Sequence, residues 1–339
     1  MIHITHFQRR ADRTVQNSLE RLYEDVRAHL SADIYIVVCI NRFFSRGLFG
    51  RIYDIVRARH CQGDVNHVTG DVHYLTYLLD RRRTVLTIHD CVLLERLHGI
   101  KRWLLWLFWY WLPAKRCIAI TVISETTRQQ VLRHLHCDPD KVQVIYCNVS
   151  DEFKPVPRPF NASRPRLLQI GTSPNKNLEV VAEALAGLDC ELVIIGKLTL
   201  NQIRVLTQRS VRYTNFVNLS RSALLEQYHC CDMVVFASTY EGFGLPIVEA
   251  NAVGRPVITS NIWSMPEVAG EAACLVDPFE VASIRTGISR VIEDATYREF
   301  LVERGFENVK RFQIENITAQ YEALYRSIHA RLNNGFEEK

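Results

Sequence analysis

The fold of this chain is decided by the stretch Thr239-Tyr-Glu-Gly-Phe-Gly-Leu-Pro-Ile-Val-Glu-Ala-Asn-Ala-Val-Gly-Arg-Pro-Val-Ile-Thr259. It follows Met233-Val-Val-Phe236, a short apolar run that predicts a fully buried parallel strand. A loop with two glycines comes next, and Pro246 suits the first turn of a helix that we expect to stop at Gly254. A strand, a glycine loop and a helix N-terminus form an anion site, because N–H groups and the positive end of the helix dipole point at the bound group.

Two carboxylates flank this loop. Glu241 lies within it and Glu249 lies one turn into the predicted helix, so both can face a neutral polyol beside a phosphate. That chemistry suits a sugar joined to a nucleoside diphosphate. The alternative is a tight strand-to-helix turn that carries two solvated glutamates.

The stretch resembles the E-x7-E motif of retaining GT-B glycosyltransferases of family 4, and Ser264-Met-Pro-Glu-Val-Ala-Gly270 is similar to that family's S-x-x-P-E-x-x-G segment. The resemblance implies a GT-B fold, in which two Rossmann-like, doubly wound α/β domains face each other across a cleft. It also implies that Glu241 binds sugar hydroxyls and Glu249 binds the ribose. Sugar or phosphate oxygens would then be held by the backbone amides of Gly242, Phe243, Gly244 and Leu245.

A second loop with donor chemistry is Gly171-Thr-Ser-Pro-Asn-Lys-Asn177, which follows a predicted strand and opens a helix. It is similar to the family's G-R-x-x-x-x-K-N pyrophosphate loop, except that Thr172 stands where an arginine is usual. Lys176 would therefore carry more of the phosphate charge, or an arginine from elsewhere would help. The alternative is an ordinary lysine in the first turn of a helix. Candidates for donor contact in this half are Gly171, Thr172, Lys176, Asn177, Gly196 and Lys197.

The first half of the chain supplies weaker candidates. His89 ends a predicted strand, where ligands of such sheets lie, and in the family a histidine at such a place helps to position the donor sugar. The alternative is a bystander histidine beside a helix cap made by Asp90. Arg9, Arg10 and Arg13 follow the first strand, and they either clamp an anionic acceptor such as a lipid phosphate or belong to a solvated loop.

Strands alternate with helices along most of the 339 residues, which predicts parallel sheets in two domains. We expect an acceptor-side domain over 1–150, a proline-rich linker over 151–165 and a nucleotide-sugar domain over 166–313. A last helix within 314–339 can cross back onto the first domain, as it commonly does in the family.

Composition narrows the class of protein further. The net charge of +4 is too small to argue for nucleic acid, and ten scattered cysteines fit a reducing cytosol better than a disulfide framework or a zinc site. The start predicts a strand and not a signal peptide, and no apolar run reaches the roughly 18 residues of a membrane span. Asp138-Pro-Asp140 matches a D-x-D metal motif only formally, since aspartate and proline are turn residues, so we expect no metal and no cofactor.

The segment Lys101-Arg-Trp-Leu-Leu-Trp-Leu-Phe-Trp-Tyr-Trp-Leu-Pro-Ala-Lys-Arg116 is an apolar, tryptophan-rich helix between basic pairs. It is too short to span a bilayer. Its composition suits a helix that lies in an anionic membrane interface, and it equally describes a helix buried in the first domain. Localisation is accordingly predicted as cytoplasmic, with peripheral membrane contact left open.

The resemblance implies metal-independent transfer of a hexose from a UDP- or GDP-linked donor, with retention of anomeric configuration, to a glycan or lipid-linked acceptor. His89, Glu241 and Lys176 are the catalytic candidates; Lys176 would stabilise the departing diphosphate, which would itself take the acceptor proton. Three alternatives share the fold: an epimerase, a phosphorylase and a non-catalytic subunit that binds nucleotide sugars.

Overall fold

The computed structural model describes residues 1–10, 18–45 and 47–337. They form two compact units: unit 1 is Met1–Asn148 with Ile314–Lys339, and unit 2 is Val149–Gln313. Each unit contains one six-stranded sheet in which every pairing is parallel. The predicted α/β architecture of two Rossmann-like sheets is therefore confirmed.

The strands are short and mostly buried, as expected of parallel strands with helices on both faces. The sheet of unit 1 has the order β2-β1-β3-β4-β5-β6, and that of unit 2 has the order β12-β11-β10-β7-β8-β9. The strands are β1 Ile2–Gln8, β2 Ile34–Ile40, β3 Val65–Val68, β4 Thr84–Ile88, β5 Ala119–Val122, β6 Val142–Val144, β7 Arg166–Ile170, β8 Glu191–Ile195, β9 Tyr213–Phe216, β10 Met233–Phe236, β11 Val257–Ser260 and β12 Cys274–Val276.

Helices connect most of these strands. A π-helical stretch, Trp106–Trp111, joins α4 to α5, and short 3-10 helices occupy His73–Leu78, Pro139–Lys141, Pro174–Lys176 and Lys310–Phe312. The α-helices are α1 Ser18–Ala28, α2 Leu48–Arg59, α3 Val92–Arg96, α4 Gly99–Leu105, α5 Leu112–Lys115, α6 Glu125–Leu135, α7 Leu178–Leu185, α8 Leu200–Gln208, α9 Arg221–Cys230, α10 Leu245–Val253, α11 Met265–Ala269, α12 Val281–Glu293, α13 Ala295–Val309 and α14 Ile314–Glu337.

Local sequence signals predicted several helix ends correctly. The predicted helix after β10 begins at Leu245 and stops before Gly254, which adopts the left-handed conformation (φ 76°) that glycine tolerates best. The sequence also predicts a helix capped at Ser124, and α6 begins there: the Ser124 hydroxyl accepts a hydrogen bond from the Thr127 amide at 3.1 Å.

Other elements differ from the prediction. The sequence predicts a first strand over Ile2–Thr5 and a polar loop from Phe7. Strand β1 instead runs on to Gln8, because the Phe7 ring is buried in the core and its carbonyl accepts from the Thr69 amide. Helix α8 and strand β9 were not predicted. The strand is only half-buried and lacks an apolar run, but α8 carries a readable signal, a capping box between Thr199 and Gln202.

Residues 151–165, the predicted linker, have no regular secondary structure, and they group with unit 2. The Phe153 ring is buried and meets the Tyr228 ring edge-on, with 5.3 Å between centroids. The buried Asp232 carboxylate accepts from the amides of Asn161 and Arg166. This part of the chain is thus fixed to the unit that follows it.

Helix α14 groups with unit 1 although it comes last in the chain. Its Tyr325 hydroxyl lies 3.0 Å from His6 Nε2 and 2.7 Å from His67 Nδ1, and all three side chains are buried. His67 Nε2 in turn lies 2.7 Å from the hydroxyl of Thr87. A buried polar network therefore ties α14 to strands β1, β3 and β4.

Several aromatic side chains of the helical segment from Gly99 to Lys115 pack into unit 1. The Trp106 indole donates to the His134 carbonyl at 2.8 Å, and the buried Tyr110 hydroxyl donates to the Asp90 carbonyl. Trp109 packs against Tyr74 with 5.6 Å between ring centroids. One side of this segment is therefore core. Among the described helices, none is long and apolar enough to cross a membrane.

Candidate active site

The sheet of unit 2 reverses its strand order between β7 and β10. Ligands of open α/β sheets bind at the carboxyl ends of the strands at such a point. The two loops that leave these strands are joined directly: the Thr239 amide donates to the Asn175 carbonyl at 2.8 Å, and the Asn175 side chain donates to the Tyr240 carbonyl at 3.0 Å. The fold thus brings together two segments that lie about 65 residues apart in the sequence.

Lys176 and Glu241 form an ion pair at this place, with 2.6 Å between Nζ and Oε1. Their side chains are only 19% and 15% exposed, and Asn175 Nδ2 donates to the same carboxylate oxygen at 3.1 Å. The ammonium group also lies 4.5 Å from the centre of the Phe236 ring. Both charged side chains are therefore held in defined positions and remain partly accessible to solvent.

Gly171 is required for this arrangement. Its φ is +90°, and a Cβ atom there would lie 2.9 Å from Cγ and Cε of Lys176. The lysine chain therefore folds across a position where any other residue would displace it. Thr172, which stands in place of the usual arginine, donates its hydroxyl to the Lys197 carbonyl at 2.8 Å, and Gly196 lies so close that a Cβ there would meet Thr172.

Asn177 and Lys197 were also predicted to contact the donor, and their surroundings differ from those of Lys176. The Asn177 side chain is buried and donates to the carbonyls of Ala237 and Pro278, at 3.1 and 2.6 Å. It therefore holds loops together instead of presenting its amide to a ligand. Lys197 is exposed.

The glycine loop after β10 is held by a buried serine. The Ser264 hydroxyl is hydrogen-bonded to the carbonyls of Glu241 and Phe243, at 3.0 and 2.8 Å. In a trans peptide the N–H points opposite to the C=O, so the amides of Gly242 and Gly244 are directed away from Ser264. The serine belonged to a recognised sequence segment, but only the fold shows its contact with the loop.

The far end of the glycine loop is fixed by packing. Gly244 has φ +113°, and a Cβ there would lie 3.0 Å from Ile247 Cδ1. Phe243 is buried, with its ring edge-on to Phe312 at 5.5 Å between centroids. The half-buried Leu245 then starts α10. These contacts fix the position of the N-terminus of α10 relative to the glycine loop.

Glu249 is oriented by a residue that the sequence did not single out. The fully buried Tyr228 hydroxyl donates to Glu249 Oε2. Burial and then the neighbouring Glu249 carboxylate raise the pKa of Tyr228 well above its usual range, so the phenol keeps its proton and remains a donor. Glu249 itself is half-buried. No spacing rule connects Tyr228 to Glu249, because the contact is made between α9 and α10.

In unit 1, His89 is buried directly after β4. Its Nε2 donates to the Thr69 carbonyl at 2.9 Å, and Nδ1 has no hydrogen-bond partner among the described residues. Because a carbonyl only accepts, Nε2 carries a proton, and in the neutral imidazole Nδ1 is then an acceptor. The Asp90 carboxylate accepts from the Val92 amide at 2.9 Å and so makes a local turn, while the N-cap position of α3 is Cys91 and has no side-chain cap.

The arginines of the first loop do not converge in the part of the chain that the structure describes. Arg9 is paired with Glu20 at 2.7 Å and lies 3.6 Å from Asp71. Arg10 donates to the Arg42 carbonyl and lies over the Phe44 ring. Arg13 lies outside the described residues. Arg9 and Arg10 are thus committed to separate contacts.

The D-x-D sequence is a turn. Asp138 caps the 3-10 helix Pro139–Lys141, and its carboxylate accepts from the Asp140 amide at 3.0 Å. No group of three or more His, Cys, Asp or Glu side chains that could hold a metal ion is found among residues 1–10, 18–45 and 47–337.

A cavity of about 670 Å³ lies at the opposite edge of the unit 2 sheet, next to the amino ends of β10 and β11. The Arg255 guanidinium on its wall already donates to the carbonyls of Tyr228, His229 and Val156. The Asp232 carboxylate accepts the amide bonds described above. Arg255 and Asp232 on the cavity wall therefore hold the fold together, and the switch point is the better candidate site.

Two family models match the chain: Glycosyltransferase Family 4 over residues 9–153 and Glycosyl transferases group 1 over residues 151–308. A crystal structure of Anabaena HepE in complex with UDP and glucose has the same fold, with a TM-score of 0.76 and 17% identity over 96% of this chain and 100% of that one. The chain belongs to the group 1 glycosyltransferases of the GT-B fold.

Among curated proteins, the chain is similar to the O-antigen chain mannosyltransferase B of Escherichia coli, with 30% identity over 226 residues. That match covers 59% of this chain and 58% of the relative. It is also similar to the serotype-specific mannosyltransferase WbdA of Escherichia coli, with 31% identity over 216 residues that cover 55% of this chain and 26% of the relative. The matches thus span little more than half of one relative and about a quarter of the other.

Proposed function

We propose that this protein transfers a mannosyl group from a UDP- or GDP-linked donor to a growing glycan or a lipid-linked acceptor, with retention of configuration. The transferred sugar is suggested by the mannosyltransferases to which the chain is similar. The observation that carries a nucleotide-sugar site is the Lys176–Glu241 pair at the sheet switch point, between a glycine loop and a helix N-terminus.

The contacts described above support a role for each residue in this proposal. Glu241 offers a carboxylate that can accept from sugar hydroxyls, while Lys176 beside it can attract the diphosphate. Glu249, which accepts from the Tyr228 hydroxyl, offers a carboxylate that can bind ribose hydroxyls. The amides of Gly242 and Gly244 are aimed away from Ser264 and suit sugar or phosphate oxygens. In unit 1, His89 Nδ1 is an acceptor suited to a sugar hydroxyl.

The proposed step conserves configuration by attack and departure on one face of the sugar. The acceptor oxygen forms a bond to the anomeric carbon as the bond from that carbon to the diphosphate oxygen breaks. The leaving phosphate oxygen takes the acceptor proton. Lys176 stabilises the negative charge that develops on the diphosphate, which is the electrostatic contribution expected of a preorganised cation.

Metal independence is part of the proposal, because a lysine and a helix N-terminus can together supply the positive charge that a metal would bring to a diphosphate. We expect the transfer rate to be unchanged by excess EDTA. If EDTA abolishes transfer and Mn²⁺ or Mg²⁺ restores it, the proposed mechanism is wrong.

The donor is tested by a thermal-shift screen of UDP- and GDP-linked sugars, since a ligand that binds only the native state raises the melting temperature. Glu249→Ala should weaken binding of the free nucleoside diphosphate, with Glu280→Ala as an exposed glutamate control at the same sheet edge. Transfer assays then follow with the donor that binds.

Product analysis separates the alternatives. Transfer to an acceptor sugar supports the proposal. Donor turnover without an acceptor would indicate an epimerase, a requirement for free phosphate would indicate a phosphorylase, and donor binding without turnover would indicate a binding subunit. Inverted configuration in the product would contradict the retaining step.

A further inference from the structure

Helix α2 presents an apolar stripe to solvent. Phe49, Ile52, Tyr53 and Val56 recur at the spacing of one helix face, and all four are exposed, as is Leu48 beside them. The inward face carries the buried Asp54 and Ala58 instead. An amphipathic helix of a globular domain normally has the opposite orientation, so this face has the chemistry of a docking surface.

The charges around this stripe are almost all positive. The segment 41–63 contains five arginines and a single acidic residue, Asp54. The Asp54 carboxylate is buried and accepts from the amides of Arg42 and Phe43, at 3.0 and 3.4 Å. Arg42 and Arg59 are exposed. The outer surface of this segment is therefore apolar and cationic, with its one carboxylate turned inward.

The helical segment from Gly99 to Lys115 has a second outward stripe. Ile100, Trp103, Leu104 and Phe108 are exposed, and residues 99–116 contain four basic and no acidic residues. Arg51 of α2 joins the two elements, because its guanidinium lies 5.1 Å from the centre of the Trp109 ring. The two stripes therefore lie on neighbouring elements of unit 1.

We propose that the exposed face of α2, together with the outward stripe of 99–115, docks onto an anionic lipid bilayer. We call these two stripes the lipid-facing surface. Apolar side chains would enter the interfacial region while the flanking cations meet lipid phosphates. The sequence pointed only to the tryptophan-rich segment; the structure adds α2, whose most exposed large apolar residue, Phe49, is 89% accessible.

Charge argues against a second copy of this chain as the occupant. A symmetric dimer places the same patch on both subunits, so the arginines around one stripe would face the arginines around the other. An anionic lipid surface matches both the apolar and the cationic character. This inference goes beyond the proposed function, since docking requires neither donor nor acceptor.

The test is co-sedimentation of the full chain with vesicles of phosphatidylcholine, with and without phosphatidylglycerol. We expect binding to the anionic vesicles at low salt and its loss at high salt, where charges are screened. Leu48→Ser with Phe49→Ser should lower the partition coefficient by at least about tenfold, because each apolar side chain leaves the interface. Arg42→Gln with Arg59→Gln should lower binding to anionic vesicles only.

The matched control is Leu200→Ser with Phe279→Ser in unit 2. These side chains are 87% and 66% exposed, against 89% for Phe49 and 70% for Leu48, so the two pairs remove similar exposed apolar area. Circular dichroism and the melting temperature report whether either pair unfolds the protein. The control should bind vesicles as the unchanged chain does.

Several outcomes would overturn the proposal. These are no sedimentation with anionic vesicles at low salt, equal binding by both serine pairs, and indifference to lipid charge. Light scattering that shows a dimer lost in Leu48→Ser with Phe49→Ser, without vesicle binding, would assign the surface to a second copy. Because no sugar nucleotide is present, failure here leaves the proposed transfer reaction standing, and failed transfer leaves the docking result standing.

Discussion

The two sheets of this protein share a parallel topology, yet they use buried polar groups in different ways. In unit 1, His6, His67 and Tyr325 lie against the middle of the sheet and are linked by hydrogen bonds, with Thr87 accepting or donating the next one, while His6 Nδ1 has no partner among the described residues. In unit 2, Lys176 and Glu241 lie at the carboxyl ends of the strands, paired but partly open to solvent.

This comparison distinguishes a polar cluster that holds a helix in place from one that a ligand can use. A buried network fixes the position of α14, since moving the helix would leave His6 Nε2 and His67 Nδ1 without the Tyr325 hydroxyl, at the cost of lost hydrogen bonds. A pair at a sheet edge keeps acceptor and donor capacity that a ligand can use. Position along the strand, and not polarity alone, therefore decides the role.

The largest effect should come from Glu241. Glu241→Ala removes an acceptor for sugar hydroxyls and leaves Lys176 unpaired, so we expect kcat to fall by about 10²- to 10³-fold, the usual range for one group that stabilises the transition state. The free nucleoside diphosphate should still bind. Transfer kinetics and calorimetry with the nucleotide measure the two effects, and an unchanged kcat would remove Glu241 from the site.

Lys176 should act on the diphosphate. Lys176→Met keeps much of the length and loses the charge, and a lost charged hydrogen bond costs about 1.5–3 kcal/mol. The Kd of the nucleoside diphosphate should therefore rise by about 10- to 150-fold, while that of the nucleoside alone stays constant. Equal weakening of both ligands would mean that the lysine only holds the loop.

The network of unit 1 should respond to pH. Burial, and then the neighbouring His89, lowers the pKa of His67 to about 3, and burial together with His67 and Arg27 lowers the pKa of His6. Both are neutral in the folded state, whereas the unfolded histidines have a pKa of about 6.5. Their stabilisation is complete above that value and is lost as the pH falls, at up to about 1.4 kcal/mol per pH unit for each histidine.

Urea unfolding between pH 7.5 and 4.5 measures this slope. His67→Gln should be less stable at pH 7.5, because the bonds to Tyr325 and Thr87 are altered, and its stability should fall less steeply with acid. A slope equal to that of the unchanged chain would show that His67 does not titrate on unfolding.

The smallest effect should come from Tyr228→Phe, which removes one hydroxyl and keeps the ring. Glu249 would lose its donor, and a hydrogen bond to a charged group is worth about 1.5–3 kcal/mol at most, of which only the positioning part reaches the ligand. We expect a severalfold rise in the nucleotide Kd with kcat nearly constant. A matching loss in Phe153→Leu, which disturbs the same ring contact, would indicate packing instead of positioning.

Much of this protein was determined by local sequence. Apolar runs such as Met233–Phe236 and helix stops such as Gly254 act through contacts within a few residues, so they could be predicted in place. Glu241 and Lys176 were recognisable from motifs that surround them. Strand β9 was missed because its half-buried residues carry no apolar run.

Only the tertiary structure decided which of these residues meet. Asn175 reaches Glu241 because β7 and β10, far apart in the chain, are neighbours in one sheet. Ser264 reaches the glycine loop because β11 lies beside β10, and Tyr228 reaches Glu249 because α9 packs beside α10. It also decided that the apolar face of α2 points outward, since helical spacing shows which residues share a face and not which way that face turns. Such contacts depend on strand order and packing, which no short stretch of sequence encodes.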